Sequence, residues 1–193
     1  MPSVAVLYHS QYGHTKVIAE SIVKGVASVD GVAAHLVDAD DLKSPGADRQ
    51  YGPEWDVLNS AETIVFGCPT YMGSVSAGMK RVFEASSGIW YTQGWKNKLA
   101  AGFTCSGSLF GDKHNTMQDL ATFAAQHSML WISQGLMPTG RSDTDTNRTG
   151  SWLGLHAQAD QGKGSDEAPP KGDHETAKAF GARIGEATAR WAK

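Results

Sequence analysis

Residues able to do chemistry concentrate first in Ser10-Gln11-Tyr12-Gly13-His14-Thr15, a hexapeptide between an apolar run and a helical pattern. The backbone N–H groups of such a turn and the hydroxyls of Ser10 and Thr15 surround a helix N-terminus, where unsatisfied donors and the helix dipole favour an anion. The turn lacks the lysine of a Walker loop and the Gly-x-Gly-x-x-Gly fingerprint of dinucleotide folds, so it suits neither a nucleoside triphosphate nor a pyrophosphate. A terminal monophosphate fits. Neutralised by amides and hydroxyls alone, it would sit in a rigid, water-poor site that suits a permanently held cofactor. The plainer alternative is an ordinary capped turn. Cys68 and Cys105 end two other apolar runs and could approach one another as a redox couple, against the default of two free thiols in a reducing compartment. The 7 histidines are scattered without i, i+4 or Cys-x-x-Cys spacing, so no metal is expected. No Gly-x-Ser-x-Gly elbow or kinase motif set occurs.

These residues need a scaffold, and the chain of 193 residues is long enough for one domain with one core. Val4 to Tyr8 is almost wholly apolar, the pattern of a strand buried on both faces. Ile18, Ile22, Val23 and Val26 then recur at helical spacing. The alternation continues with strands at Val32 to Val37, Thr63 to Phe66, Leu99 to Thr104 and Met129 to Ile132. Helices are expected at Ser76 to Ser86, Asn115 to His127 and over the terminal stretch carrying Ala177, Phe180, Ile184 and Ala187. Five strands alternating with helices predict a doubly wound α/β fold, a parallel sheet with helices on both faces and its ligand beyond the carboxyl ends of the strands. Two stretches lack periodicity: Ala39 to Asn59, and the long irregular segment 139–173, whose apolar island Trp152-Leu153-Gly154-Leu155 suggests anchoring.

Charge and hydropathy narrow the partners. With 17 basic and 20 acidic residues the net charge is -3, too negative to hold nucleic acid or an anionic membrane electrostatically. No segment reads as membrane-spanning, and Met1 to Val6 lacks the basic flank of a signal peptide, so a cytoplasmic location is expected.

Three segments in order, Tyr8-His9-Ser10-Gln11-Tyr12-Gly13-His14-Thr15, Gly67-Cys68-Pro69-Thr70-Tyr71-Met72-Gly73 and Gly88-Ile89-Trp90, resemble the WrbA-type (tryptophan-repressor-binding-protein) family of NAD(P)H:quinone oxidoreductases in the flavodoxin-like superfamily. The resemblance covers about two thirds of the chain. It implies a flavodoxin-like five-stranded sheet of order 2-1-3-4-5, bound flavin mononucleotide (FMN), and NADH or NADPH as donor. It places the FMN phosphate in the loop Ser10, Gln11, Tyr12, Gly13, His14 and Thr15. It lays Pro69, Thr70, Tyr71, Met72 and Gly73 along the isoalloxazine, where their backbone can tune the flavin edge. The family's Ser/Thr-Gly-Thr-Gly-Gly-Gly run corresponds to Ser106, Gly107, Ser108, Leu109, Phe110 and Gly111, a departure at two glycines that alters the wrap around the flavin. His127 corresponds to a histidine near the ring, a hydrogen-bond or proton donor with an ordinary pKa near 6.5; a helix cap is its bland alternative. Trp90 corresponds to an aromatic beside the ring, where flat substrates would stack, and Tyr12 to a contact on the nicotinamide side.

The resemblance implies a two-electron transfer from NAD(P)H to a quinone-type acceptor by ping-pong kinetics, in a homo-oligomer, dimer or tetramer, whose neighbouring chain helps to close the pocket. Two other classes stand beside it: a flavodoxin-type electron carrier and a non-catalytic protein using the FMN fold. Carriers are usually strongly acidic for docking, and -3 is weak for that purpose.

Overall fold

The computed structural model describes residues 1–46 and 50–193. Apolar β-formers build β1 (Ser3–Tyr8), β3 (Thr63–Tyr71) and β5 (Leu99–Ser106), which are buried along nearly their whole length. β2 (Ala33–Asp38) is half-exposed, as an edge strand should be. Parallel pairing sets the order β2-β1-β3-β5, so the first four lanes match the expected flavodoxin-like order. The fifth lane is split. β6 (Leu130–Trp131) pairs with the start of β5 and β7 (Leu155–Gln158) with its end, both parallel. Part of the segment expected to be irregular is therefore a strand, and the helix after it begins at Lys171. A two-residue β4 (Ser74–Val75) folds back antiparallel on β3.

Helices cover both faces: α1 (His14–Ala27) and α6 (Lys171–Trp191) on one, α3 (Ala77–Ala85), α4 (Ser87–Tyr91) and α5 (Lys113–Gln126) on the other, with short α2 (Asp56–Ser60) before β3. The α1–α6 crossing is close because two glycines sit at the contact. A Cβ on Gly25 would collide with Lys178 O, and one on Gly181 with Ile22 O. Each face carries one apolar core; Val6, Phe103 and Ile184 typify the first, Phe66, Trp95 and Leu120 the second.

The stretch expected to lack periodicity from Ala39 to Asn59 contains two short 3-10 turns and the start of α2; residues 47–49 of it lie outside the described residues. The island at 152–155 is anchored as expected: Leu155 is fully buried, and Trp131 Nε1 donates to Leu153 O at 2.7 Å. A buried ion pair, Arg148 to Asp173 at 2.8 Å, ties this insertion to α6. Among the described residues no helix is long and apolar enough to cross a membrane.

The two cysteines cannot pair. Cys68 stands opposite Thr104 in the β3–β5 ladder and Pro69 opposite Cys105. One residue of offset flips a side chain to the other face, so Cys68 lies in one core and Cys105 in the other. Both thiols are free, and burial pushes each up to about 12, which keeps them protonated and unreactive.

Candidate functional site

Beyond the carboxyl ends of β1, β3 and β5 lies a cavity of about 580 Å3, a size typical of small-molecule and cofactor sites. Its floor is the first loop. Gly13 adopts φ +86°, a left-handed conformation that turns the chain into α1, and the first helical bond runs from Val17 N to Gly13 O at 3.1 Å. The N–H groups ahead of it are the open donors of a helix N-terminus. Ser10, Gln11, Tyr12, His14 and Thr15 all line the cavity. Ser10 Oγ is buried without a hydrogen-bond partner, and Thr15 is 2% exposed. A buried hydroxyl beside open amides calls for an acceptor that the protein itself does not supply.

The opposite wall is a surprise from far along the chain. Ala159, Asp160, Gln161, Gly162, Lys163 and Gly164 complete the cavity. His14 Nε2 is 2.9 Å from Lys163 O, which latches this wall to α1, and Ser165 packs against Gly13. The site therefore has a lysine after all, although Lys163 is already paired with Asp160 at 2.7 Å. That hydrogen bond holds the Asp160 carboxyl below, and the Lys163 ammonium above, their ordinary ranges. The pair is exposed and adds little net charge. No periodicity marks residues 159–164, so sequence reasoning missed them; the only signal was the unusual length of an aperiodic stretch.

After β3 the chain turns tightly at Met72 (φ 49°) and Gly73 (φ 80°), the two positive values of a type I′ hairpin. Strand alternation sorts the neighbours: Pro69 and Tyr71 face the cavity, whereas Thr70 points inward. Its hydroxyl donates to Thr116 Oγ1 and shares a hydrogen bond with Thr104 Oγ1, both at 2.8 Å, leaving only its backbone for a ligand. Met72 is fully exposed at the hairpin tip and Gly73 lies beneath it, outside the cavity lining.

The loop after β5 is stapled from below. Ser106 and Gly107 line the cavity, while Ser108 and Gly111 shape the loop instead. Lys113 in the first turn of α5 is fully buried and donates to Ser108 O and, at 3.0 Å, to Leu109 O. Burial depresses its ammonium to about 8. α5 begins at Lys113 rather than at the expected Asn115, so the helix read from the sequence did not include this lysine.

Two expected site residues are elsewhere. His127, expected near the ring as a proton donor, is 2% exposed against Trp95 and Phe123, with Nε2 3.0 Å from Ser86 Oγ. Burial lowers its pKa to about 4, so it is a neutral packed residue with no access to the first loop. Trp90 sits within α4, and both residues line a separate groove of about 440 Å3 between α3, α4 and α5. Tyr12 alone of the expected substrate contacts stands at the cavity, 68% exposed.

Comparison with known proteins agrees with this architecture. A family described as NADPH-dependent FMN reductase matches residues 3–142. The chain is 38% identical to Flavodoxin FldP of Pseudomonas aeruginosa over 95% of both chains. It is 27% identical to an NAD(P)H dehydrogenase (quinone) of Geobacter sulfurreducens, over 97% of this chain and 98% of the relative. A crystal structure of the flavodoxin, WrbA-like protein from Agrobacterium tumefaciens matches with TM-score 0.74 at 34% identity, covering 98% of this chain and 99% of that one.

Proposed function

The chain belongs to the NADPH-dependent FMN reductase family, and from that premise we propose that the cavity at the strand ends holds FMN and exposes it to NAD(P)H and then to a quinone or similar flat aromatic acceptor. The unpartnered Ser10 hydroxyl beside the open donors of α1 carries this reading, because it is the arrangement a phosphate monoester satisfies. Bound there, FMN would supply the two-electron chemistry that links a nicotinamide donor to the acceptor.

The chain's own residues do the remaining work. Ser10, Thr15 and the amides from Gln11 to His14 would hold the phosphate. Pro69, Tyr71, Ser106 and Gly107 would flank the rest of the nucleotide, with Cys105, protonated at any ordinary pH, presenting a neutral surface behind it. Lys113 fixes the carbonyls of Ser108 and Leu109, so the loop keeps one shape and does not collapse into the cavity. Tyr12 gives an aromatic edge to the mouth. Donor and acceptor enter by that same mouth and would occupy it in turn, which makes two half-reactions the natural order. Trp90 and His127 have no part in this assignment.

The test is an absorbance spectrum of the purified protein before and after anaerobic NADPH. The flavin bands should bleach without any partner protein and return on adding benzoquinone, and initial-rate plots should be parallel. A second reading, an electron carrier, draws on the 38% identity to a flavodoxin. Under it NAD(P)H alone would leave the flavin oxidised until a separate reductase is added.

A further inference from the structure

A second cavity, of about 430 Å3, lies on the other side of the loop after β5. Two exposed aromatics wall it: Phe110 from that loop, 67% exposed, and Trp152 from the insertion that splits the fifth lane, 51% exposed. Two exposed aromatics on the walls of one concave cavity make the kind of apolar patch that marks a binding site, unlike a single exposed side chain. Thr149 and His156 also line this cavity, and each carries a buried polar atom with no partner, Oγ1 and Nε2. Burial lowers the His156 imidazole to about 4, with Lys113 and His114 adding to the effect, so it is neutral and offers both a donor and an acceptor nitrogen across its two tautomers. Asp112 and His114 stand at the lip where α5 begins.

The two cavities are tied together by the same pieces of chain. On the loop, Gly107 lines the first and Phe110 the second; on β7 and its continuation, His156 lines the second and Ala159 the first. Each pair is three residues apart, which limits the separation to about 10–11 Å of extended chain. A nicotinamide dinucleotide, with two rings joined through two riboses and a pyrophosphate, is long enough to reach from one to the other.

We propose that the Phe110–Trp152 cavity is the subsite for the adenosine end of the nicotinamide dinucleotide, stacking its adenine between the two aromatics and pairing it with Thr149 and His156. The assignment rests on the functional reading above, since it needs a dinucleotide donor at the neighbouring mouth. It also gives the insertion between β6 and β7 a job: that segment brings Trp152 to a loop whose own aromatic would otherwise stand alone.

The experiment compares NADPH and NADH with reduced nicotinamide mononucleotide, which lacks the adenosine half, on the FMN-loaded protein and on Trp152→Ala and Thr149→Val. Calorimetry with ADP-ribose on the same three proteins reads the subsite directly. Trp152→Ala should lower kcat/KM for the better dinucleotide about tenfold and Thr149→Val about threefold. Neither should change the mononucleotide rate, and ADP-ribose binding should weaken in parallel. Equal loss with both donors, or unchanged dinucleotide kinetics and ADP-ribose affinity, would overturn the subsite. Should no donor bleach the flavin of the unsubstituted protein, the functional reading fails by itself, and the ADP-ribose titration alone then decides whether this cavity takes an adenosine.

Discussion

Gly13→Ala is the sharpest probe of the cradle. The residue holds φ +86°, where an L side chain costs about 1–2 kcal/mol. Its new Cβ would meet Ser165 Oγ at 2.9 Å and Ser165 Cβ at 3.1 Å. The serine is a short side chain on the wall that closes the cavity, so the contact is relieved by pushing that wall outward and not by crushing a core. For a chain of this size, about 2–4 °C of melting temperature accompanies each kcal/mol, so the flavin-free variant should melt about 2–8 °C below the parent. Flavin binding should suffer further, because both the amides of the turn and the wall opposite shift. Gly31→Ala supplies the control. Gly31 has φ +77° with nothing within 4 Å of a built Cβ, and it precedes β2, at the end of the sheet away from the cavity. It should lose similar stability and none of the flavin affinity. Calorimetric melting of the flavin-free proteins and fluorescence titration with FMN measure both. If Gly31→Ala weakens FMN as much as Gly13→Ala does, or if Gly13→Ala binds FMN like the parent, the cradle is not where the nucleotide sits. Adding Ser165→Gly to Gly13→Ala should restore part of the affinity and leave the dihedral cost in place.

Thr15→Ala removes one hydroxyl donor to a dianion, a loss of about 1.5–3 kcal/mol, and should weaken FMN about ten- to a hundredfold in equilibrium dialysis. Stability should fall as the solution is acidified from pH 6.5 towards 4. His127 and His156 are both held neutral, near 4, in the fold, while the unfolded chain takes up protons at the ordinary histidine value. His127→Gln should flatten that slope in urea titrations at a series of pH values, and an unchanged slope would show that His127 is not the buried base. Lys113 gives the opposite end of the scale: depressed to about 8 in the fold, it makes the unfolded state the better proton binder up to the free lysine value of 10.5, so stability attributable to it rises with pH through that window. The stability difference between the parent and Lys113→Met should grow from pH 8 to 10, and the variant should also bind FMN more weakly as the carbonyls of Ser108 and Leu109 lose their anchor.

Elements that repeat a strong local pattern were legible in the sequence. Val4 to Tyr8 is apolar at every position, and Ile18, Ile22 and Val26 trace one face of α1, so β1, the turn and α1 followed from hydrophobic spacing alone. The loop after β3 was legible through Pro69 and Gly73, although alternation of side chains turned Thr70 into the core. The fifth lane was half legible: the apolar run Met129 to Ile132 marked β6, whereas β7 reads Leu-His-Ala-Gln, too short to show a period and recognisable only through its partner β5. The wall at 159–164 was hidden for a related reason: Gly, Asp and Lys without spacing describe any loop, and only tertiary placement brings Lys163 and Ser165 to the first turn. His127 and Trp90 show the converse: their neighbourhood in sequence carried the resemblance, while within the chain as folded α5 points His127 into a packed aromatic groove apart from the first loop.

Identity to a flavodoxin and a match to a reductase family are compatible because both kinds of protein need the same cradle, and the first loop, the loop after β3 and the loop after β5 all lie within the residues 3–142 that the family model matches. What separates them is the rim, where either a protein docks or a small molecule enters. A protein docking through electrostatics wants a ring of like charges, whose long reach steers the encounter. Among the residues that line the mouth, the exposed large apolar side chain is Tyr12, and the acidic one, Asp160, is paired with Lys163. A lining whose charges balance in this way gives a charged protein little to steer on and leaves an aromatic edge for a flat small molecule held at short range. Raising ionic strength should therefore leave NADPH-to-quinone turnover nearly unchanged. A steep salt dependence with any protein partner, together with slow turnover of free quinone, would return the chain to the carrier class.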